Sequence, residues 1–168
     1  MVAAYVETIR NVPLILLVYI VFYGIPTVVD LRYEATTSFV ATLSLYAGAY
    51  LVEIFRAGLA AVPAGLVDAG KAIGLRPVQR LLYVRLPTML RIALPSLSNT
   101  FVSLFKDTSI ASVIAVPELA FGAQWINVNT FRIVEVYALV TPIYLATGYV
   151  ILLVLRLAER RFAVARPA

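Results

Sequence analysis

Val136–Leu155 reads VYALVTPIYLATGYVILLVL, and no charged residue interrupts it. A helix rises about 1.5 Å per residue, so a bilayer core of roughly 30 Å is crossed by about 20 apolar residues. This run is that long. Outward from it, Asn11–Val29 and Ala35–Val52 are equally free of charge, and Ile92–Pro117 is broken only by Lys106 and Asp107. Four spans are therefore expected, at about 11–29, 35–55, 92–117 and 135–156, in an all-α membrane protein forming a single unit over residues 1–168. The first span begins too far into the chain, and is too long, to read as a cleaved signal.

Composition agrees. Apolar residues make up 62% of the 168 residues and charged ones 14%, where a soluble domain carries about a quarter charged. Mean hydropathy is +0.92. Cysteine and histidine are both absent, which excludes disulfides, thiol nucleophiles, imidazole bases and the usual zinc sites. No catalytic constellation, cofactor site or metal site is evident. The net charge of +5 does not point to nucleic acid, because in a bilayer protein basic residues report sidedness.

Arg56, Lys71, Arg76, Arg80, Arg85 and Arg91 all fall between the second and third spans, and Arg156, Arg160, Arg161 and Arg166 follow the fourth. The segments Asp30–Glu34 and Glu118–Arg132 hold one Arg each. Lys and Arg collect on the cytoplasmic side, which places the loop at about 57–91 and the C-terminus inside. An even number of spans puts the N-terminus inside too, with Arg10. Tyr19, Phe22, Tyr23 and Trp125 are suited to headgroup depth, or equally to ordinary packing.

The inner loop predicts two short helices. Pro63 suits the first turn of one over Ala64–Gly74, with Gly74 free to take the left-handed conformation that ends it. Pro77 suits the first turn of a second, expected to stop near Leu86 at Pro87. Gly65 and Gly70-Lys71 imitate a phosphate-binding loop, but Ala72 stands where a hydroxyl is needed and no strand precedes.

Asp68-Ala69-Gly70, three residues, Gly74, nine residues, and Val84-Arg85-Leu86-Pro87 together resemble the EAA signature of permease subunits of ATP-binding-cassette importers. The spacing is intact; Asp68 replaces Glu, Gly70 the second Ala, and Val84 the Ile. YVETIRNVP (Tyr5–Pro13), FYGIP (Phe22–Pro26), GAYLVEIFRAG (Gly48–Gly58), LFKDTSIASV (Leu104–Val113) and VPEL (Val116–Leu119) look like the polar amino-acid branch of that family. The resemblance implies a type I importer-like helix bundle with cytoplasmic coupling helices in a bacterial inner membrane. It implies an amino-acid substrate, a cytoplasmic ATP-binding subunit that receives Asp68, Ala69, Gly70, Gly74, Val84, Leu86 and Pro87, an identical or homologous permease, and an external solute-binding protein. Hydrolysis is expected on the ATP-binding subunit. A stand-alone channel or gradient-driven carrier is the alternative, against which the coupling pattern counts. Members of the branch carry a further span before YVE, expected to be missing here, which makes the chain a fragment, a shortened reading frame or a four-span variant.

Lys106 and Asp107 fall mid-span, where a charge costs about 2.5–3.5 kcal/mol and tends to face a pathway. Lys106 suits a carboxylate and Asp107 an ammonium, with Thr108 and Ser109 beside them; by resemblance this segment lines the substrate pathway. An ion pair that pins the span to its neighbours, or to the other half of a dimer, is the other reading. A locally unwound helix there, with Pro95 permitting a bend, is expected to bare backbone groups. Glu53 and Arg56 are spaced for a structural pair. Glu118 is expected either to meet an external protein or to be solvated, and Leu119–Phe131 to lie at the outer surface.

Overall fold

The computed structural model describes residues 1–162, so Arg166 lies outside them. Among the described residues nine α-helices follow one another: α1 (Val2–Asn11), α2 (Leu14–Tyr19), α3 (Ile25–Val29), α4 (Ala35–Ala60), α5 (Ala64–Ala72), α6 (Pro77–Arg80), α7 (Leu86–Asp107), α8 (Leu119–Thr130) and α9 (Ile133–Phe162). No strand occurs among the described residues. At 26 residues, α4 is about 39 Å long, enough for the hydrocarbon core. Helices α4 and α9 are each long and apolar enough to cross a membrane, while α1 with α2–α3, and Pro77–Ile114 with α8, combine the length and the apolar composition only as pairs bent by 105° and 44°.

Two wide π turns, Ile20–Gly24 and Leu81–Arg85, join α2 to α3 and α6 to α7. Each lies just ahead of a proline, Pro26 or Pro87. Proline has no N–H, and its ring crowds the carbonyl four residues back. The wide turn absorbs that misfit: Ile25 N donates to the Ile20 carbonyl and Leu86 N to the Leu81 carbonyl. The Val21 carbonyl, left without its usual helical partner, accepts from the Tyr33 hydroxyl.

This corrects the expected stop at Pro87. From Pro77 to Ile114 the chain is one rod, running through Pro95, so the expected second short helix is the foot of α7. Of the two short helices expected between Ala64 and Leu86, α5 alone is free-standing. Its end follows expectation: Gly74 has φ 79, Leu75 N donates to the Gly70 carbonyl at 3.0 Å, and Gly74 N to that of Lys71 at 2.9 Å. That is a Schellman closure. Pro77 opens α6, and the Gln79 side chain accepts from Arg76 N at 2.9 Å. Gly65–Lys71 is helical throughout and forms no phosphate-cradling loop.

One buried cluster joins α2 (Leu14, Val18), the start of α4 (Phe39) and the segment after α7 (Ala111, Ile114, Val116). That segment, Thr108–Ile114, is a 3₁₀ helix, so the helix tightens where unwinding was expected. The cause is local. Thr108 Oγ1 donates to the Phe105 carbonyl at 2.6 Å, Ser109 Oγ to that of Lys106 at 2.8 Å, and Ser112 Oγ to that of Ser109 at 2.7 Å. Each closes a three-residue ring compatible with the tighter winding.

Glu118, half-buried, also serves the fold. Its carboxylate caps α8, accepting from Ala120 N at 2.8 Å and Phe121 N at 2.6 Å, and from the Tyr144 hydroxyl of α9 at 2.8 Å. Loss of such a cap costs about 1–2 kcal/mol. Glu118→Ala is therefore expected to lower the thermal midpoint of the detergent-solubilised chain, and Tyr144→Phe to lower it less, since the cap survives.

Candidate functional site

Helices α4 and α7 pack together along their length, and what α7 carries there is unusual for so apolar a chain. Ser96, Asn99 and Ser103 recur at helical spacing and are exposed. Thr100 and Asp107, both half-buried, lie on one edge of this stripe; Lys106, exposed, lies on the other, since consecutive positions point about 100° apart. The two charges thus flank one polar face instead of pairing.

On the Asp107 edge a cavity of about 270 Å³ opens against α4, lined by Tyr46, Tyr50, Asn99, Thr100, Ser103, Leu104 and Asp107. Tyr46 and Tyr50 are one turn apart, with hydroxyls 3.0 Å and ring centroids 4.9 Å from each other. The ion pairs among the described residues are Glu53–Arg56 and Asp68–Lys71, so neither Asp107 nor Lys106 has an ionic partner. Within the described residues of this chain the two charges therefore pin no neighbouring helix through an ion pair. A second cavity, about 280 Å³, continues toward the α5 end of α4, between Glu53, Ile54, Gly58, Ile92, Ala93 and Ser96. Glu53 holds Arg56 there in a two-bond fork at 2.5 and 2.9 Å.

Gly58 is buried where α4 meets α7: a Cβ placed on it would stand 3.1 Å from Met89 Cγ and 3.4 Å from both Ala93 Cβ and the Met89 carbonyl. Small residues permit this approach of two apolar helices.

At the far end of α4, residues Asp68, Ala69 and Gly70 lie on α5, Gly74 in its closing turn, Val84 in the wide turn, and Leu86 and Pro87 at the start of α7. A groove of about 360 Å³ runs between Leu59, Ala64, Val67, Asp68, Lys71 and Arg85. Lys71 Nζ sits 2.7 Å from Asp68 Oδ1, and its hydrogen bond and charge hold that carboxyl below the usual carboxylate range. Gly70 is buried beneath the Arg80 side chain, whose Cγ is 3.4 Å from where a Cβ would stand. The Ala found here in the EAA signature would fit in ordinary contact.

Sequence reading named Asp107, Lys106, Thr108 and Ser109 but missed Tyr46, Tyr50, Asn99, Thr100 and Ser103. The signal was present as a polar stripe at helical spacing within an apolar run, yet its partner on α4 is visible only once the helices pack. Thr108 and Ser109 spend their hydroxyl protons on their own backbone and do not line the cavity.

Among the described residues, an all-helical bundle with apolar spanning lengths, a polar face along α7 and a short free helix at one end defines a multi-pass membrane transport subunit of the type I importer-permease fold. The chain belongs to the family of binding-protein-dependent transport system inner membrane components, whose pattern matches residues 1–164. It is 35% identical over 164 residues to a probable glutamine ABC transporter permease protein GlnP of Bacillus subtilis (strain 168), covering 96% of this chain and 75% of that one. It is 40% identical to the L-cystine transport system permease protein TcyB of the same organism, covering 95% and 68%. Among solved structures, one described as an amino acid ABC transporter with histidines matches with a TM-score of 0.87 at 31% identity, covering 95% of this chain and 74% of that one. Inward-facing MetNI methionine ABC transporter structures share the fold, with a TM-score of 0.76 at 19% identity, covering 96% and 74%.

Proposed function

We propose that the chain is the permease of an ATP-driven amino-acid importer in a bacterial inner membrane, with four spans and both termini cytoplasmic. One observation carries this reading: Ser96, Asn99, Ser103 and Lys106 expose a polar stripe on a spanning helix. Lipid offers such groups no hydrogen bonds, so intramembrane polar and charged residues face a bundle interior or a water-filled path. The stripe calls for an enclosing partner, and a second permease, identical or homologous, closes a path over it. Asp107 receives the substrate ammonium in the α4–α7 cavity, Lys106 the carboxylate on the opposite edge, and Thr108 and Ser109 hold the backbone that positions them. The amino-acid class follows from these two charges and from the relatives' names.

The inner end supplies the coupling. Helix α5, with Asp68, Ala69, Gly70 and Gly74, seats on a cytoplasmic ATP-binding subunit. The rod that begins at Pro77 and carries Val84, Leu86 and Pro87 transmits its movement straight into α7. An external solute-binding protein delivers substrate to the opposite face.

Reconstitution with the ATP-binding subunit and a panel of amino acids tests this, with ATP-dependent accumulation expected; uptake that persists undiminished without ATP would sink it. Gly74 tests the coupling part. Its φ of 79 with open space around it makes Gly74→Val a conformational change alone, costing about 1–2 kcal/mol. Co-purification of the ATP-binding subunit is expected to fall in Gly74→Val and to persist in Gly65→Ala, where a Cβ also meets open space at an ordinary helical position.

A further inference from the structure

The pattern V-E-x-x-R occurs twice, at Val6-Glu7-Thr8-Ile9-Arg10 and at Val52-Glu53-Ile54-Phe55-Arg56. The fold brings the two together. Val6, Glu7 and Arg10 of α1 and Val52, Glu53 and Arg56 of α4 line one open cavity of about 420 Å³. Equal spacing has not given equal pairing. Glu53 holds Arg56 in its fork, whereas Arg10 leaves Glu7 aside and sets its guanidinium 5.3 Å from the centroid of the Tyr50 ring.

Tyr50 belongs to the Asp107 cavity. Tyr46, Tyr50 and Glu53 follow one another at i, i+4 and i+7, one face of α4 leading from that cavity toward the α5 end. Helix α1 is fastened to the same turns: the Tyr5 hydroxyl donates to the Leu45 carbonyl at 2.5 Å, and its oxygen lies 3.1 Å from where a Cβ on Gly48 would stand. A helix bent 105° away from the segment that follows it is thus fastened to the turns of α4 that carry Tyr46 and Tyr50.

We propose that the paired V-E-x-x-R motifs form the inner gate of the pathway, with Arg10 as the positioning residue that holds Tyr50 across the mouth of the Asp107 cavity. The proposal rests on the permease reading given above. Arg10 has two stations of similar strength, the Tyr50 face and the carboxylates of Glu7 and Glu53 around the shared cavity. A small shift of α1 relative to α4 moves it between them. With Arg10 on Tyr50 the gate is shut; with Arg10 among the carboxylates the ring is released and the cavity drains toward α5. Two close-lying states are what a gate requires.

Because the chain has no cysteine, Thr100→Cys places a single thiol in the cavity, and its labelling by a membrane-impermeant maleimide from the α5-bearing face reads the gate without any substrate. In the complex with its ATP-binding subunit, adding Arg10→Gln is expected to raise that labelling rate about two- to fivefold, the scale of losing one exposed cation–π contact. Arg10→Lys is expected to restore slow labelling, and Tyr50→Leu to mimic Arg10→Gln. Equal rates with Arg10 and with Gln, in proteins of equal thermal midpoint, would overturn the gate. ATP-dependent uptake of L-glutamine and L-arginine by the unaltered complex is measured alongside. An unaltered complex that accumulates neither, while the labelling rates still differ, condemns the substrate reading and leaves the gate standing.

Discussion

Asp107→Asn is expected to lower the kcat/KM of amino-acid uptake by about a hundredfold in the reconstituted importer. The substitution keeps the shape of the side chain and removes its charge. Asp107 is half-buried on the wall of the α4–α7 cavity, with no ionic partner among the described residues. On the proposed reading that carboxylate receives the substrate's ammonium. Truncating one member of a desolvated, hydrogen-bonded charge pair costs about 2–5 kcal/mol, and a hundredfold sits within that range. Lys106→Gln is expected to cost less, because the exposed ammonium is screened. Initial rates over a range of substrate concentrations check both, and equal kinetics for Asp107→Asn and the unaltered chain would remove Asp107 from the substrate site.

The second large effect concerns assembly of the bundle. Gly58→Leu is expected to prevent α4 and α7 from reaching their present separation. A bare Cβ at this position already meets Met89 Cγ at 3.1 Å and Ala93 Cβ at 3.4 Å, and the flexible Met89 side chain can yield to that much. An isobutyl group extends past that contact, and must either press on the Met89 backbone and Ala93 or fill the adjoining cavity that Gly58 also lines. Overpacking of this kind costs about 1–3 kcal/mol and sometimes more. It also separates the faces that build the Asp107 cavity. Gly58→Ala is expected to keep a monodisperse gel-filtration peak and most uptake, and Gly58→Leu to lose both. A normal profile for Gly58→Leu would show that the crossing is looser than 3.1 Å implies.

The local part of the site was open to sequence reading because its signals are local. Gly74 ends α5 in the left-handed conformation that glycine reaches at least cost, and the hydrogen bonds of that turn join residues no more than five apart. Asp68-to-Pro87 spacing is likewise a property of one stretch. Pro87 shows the limit of such reasoning. Proline's missing donor predicts a stop, yet a π turn upstream takes up the misfit and the rod continues. Glu118 shows another limit, since its partner Tyr144 lies 26 residues away on α9.

Apolar run length, the clustering of basic residues and the spacing of the inner-loop motif depend on nothing beyond chain order, so the sequence alone determined the membrane class, the family resemblance and the expected sidedness. Which of two adjacent charges faces a cavity depends on what packs beside α7, and the answer came from Tyr46 and Tyr50 on a helix more than 45 residues earlier in the chain. The meeting of the two V-E-x-x-R motifs likewise required α1 to fold back across α4. Non-local packing sets these relations, because side-chain direction is fixed within a helix while its neighbours are chosen by the whole bundle.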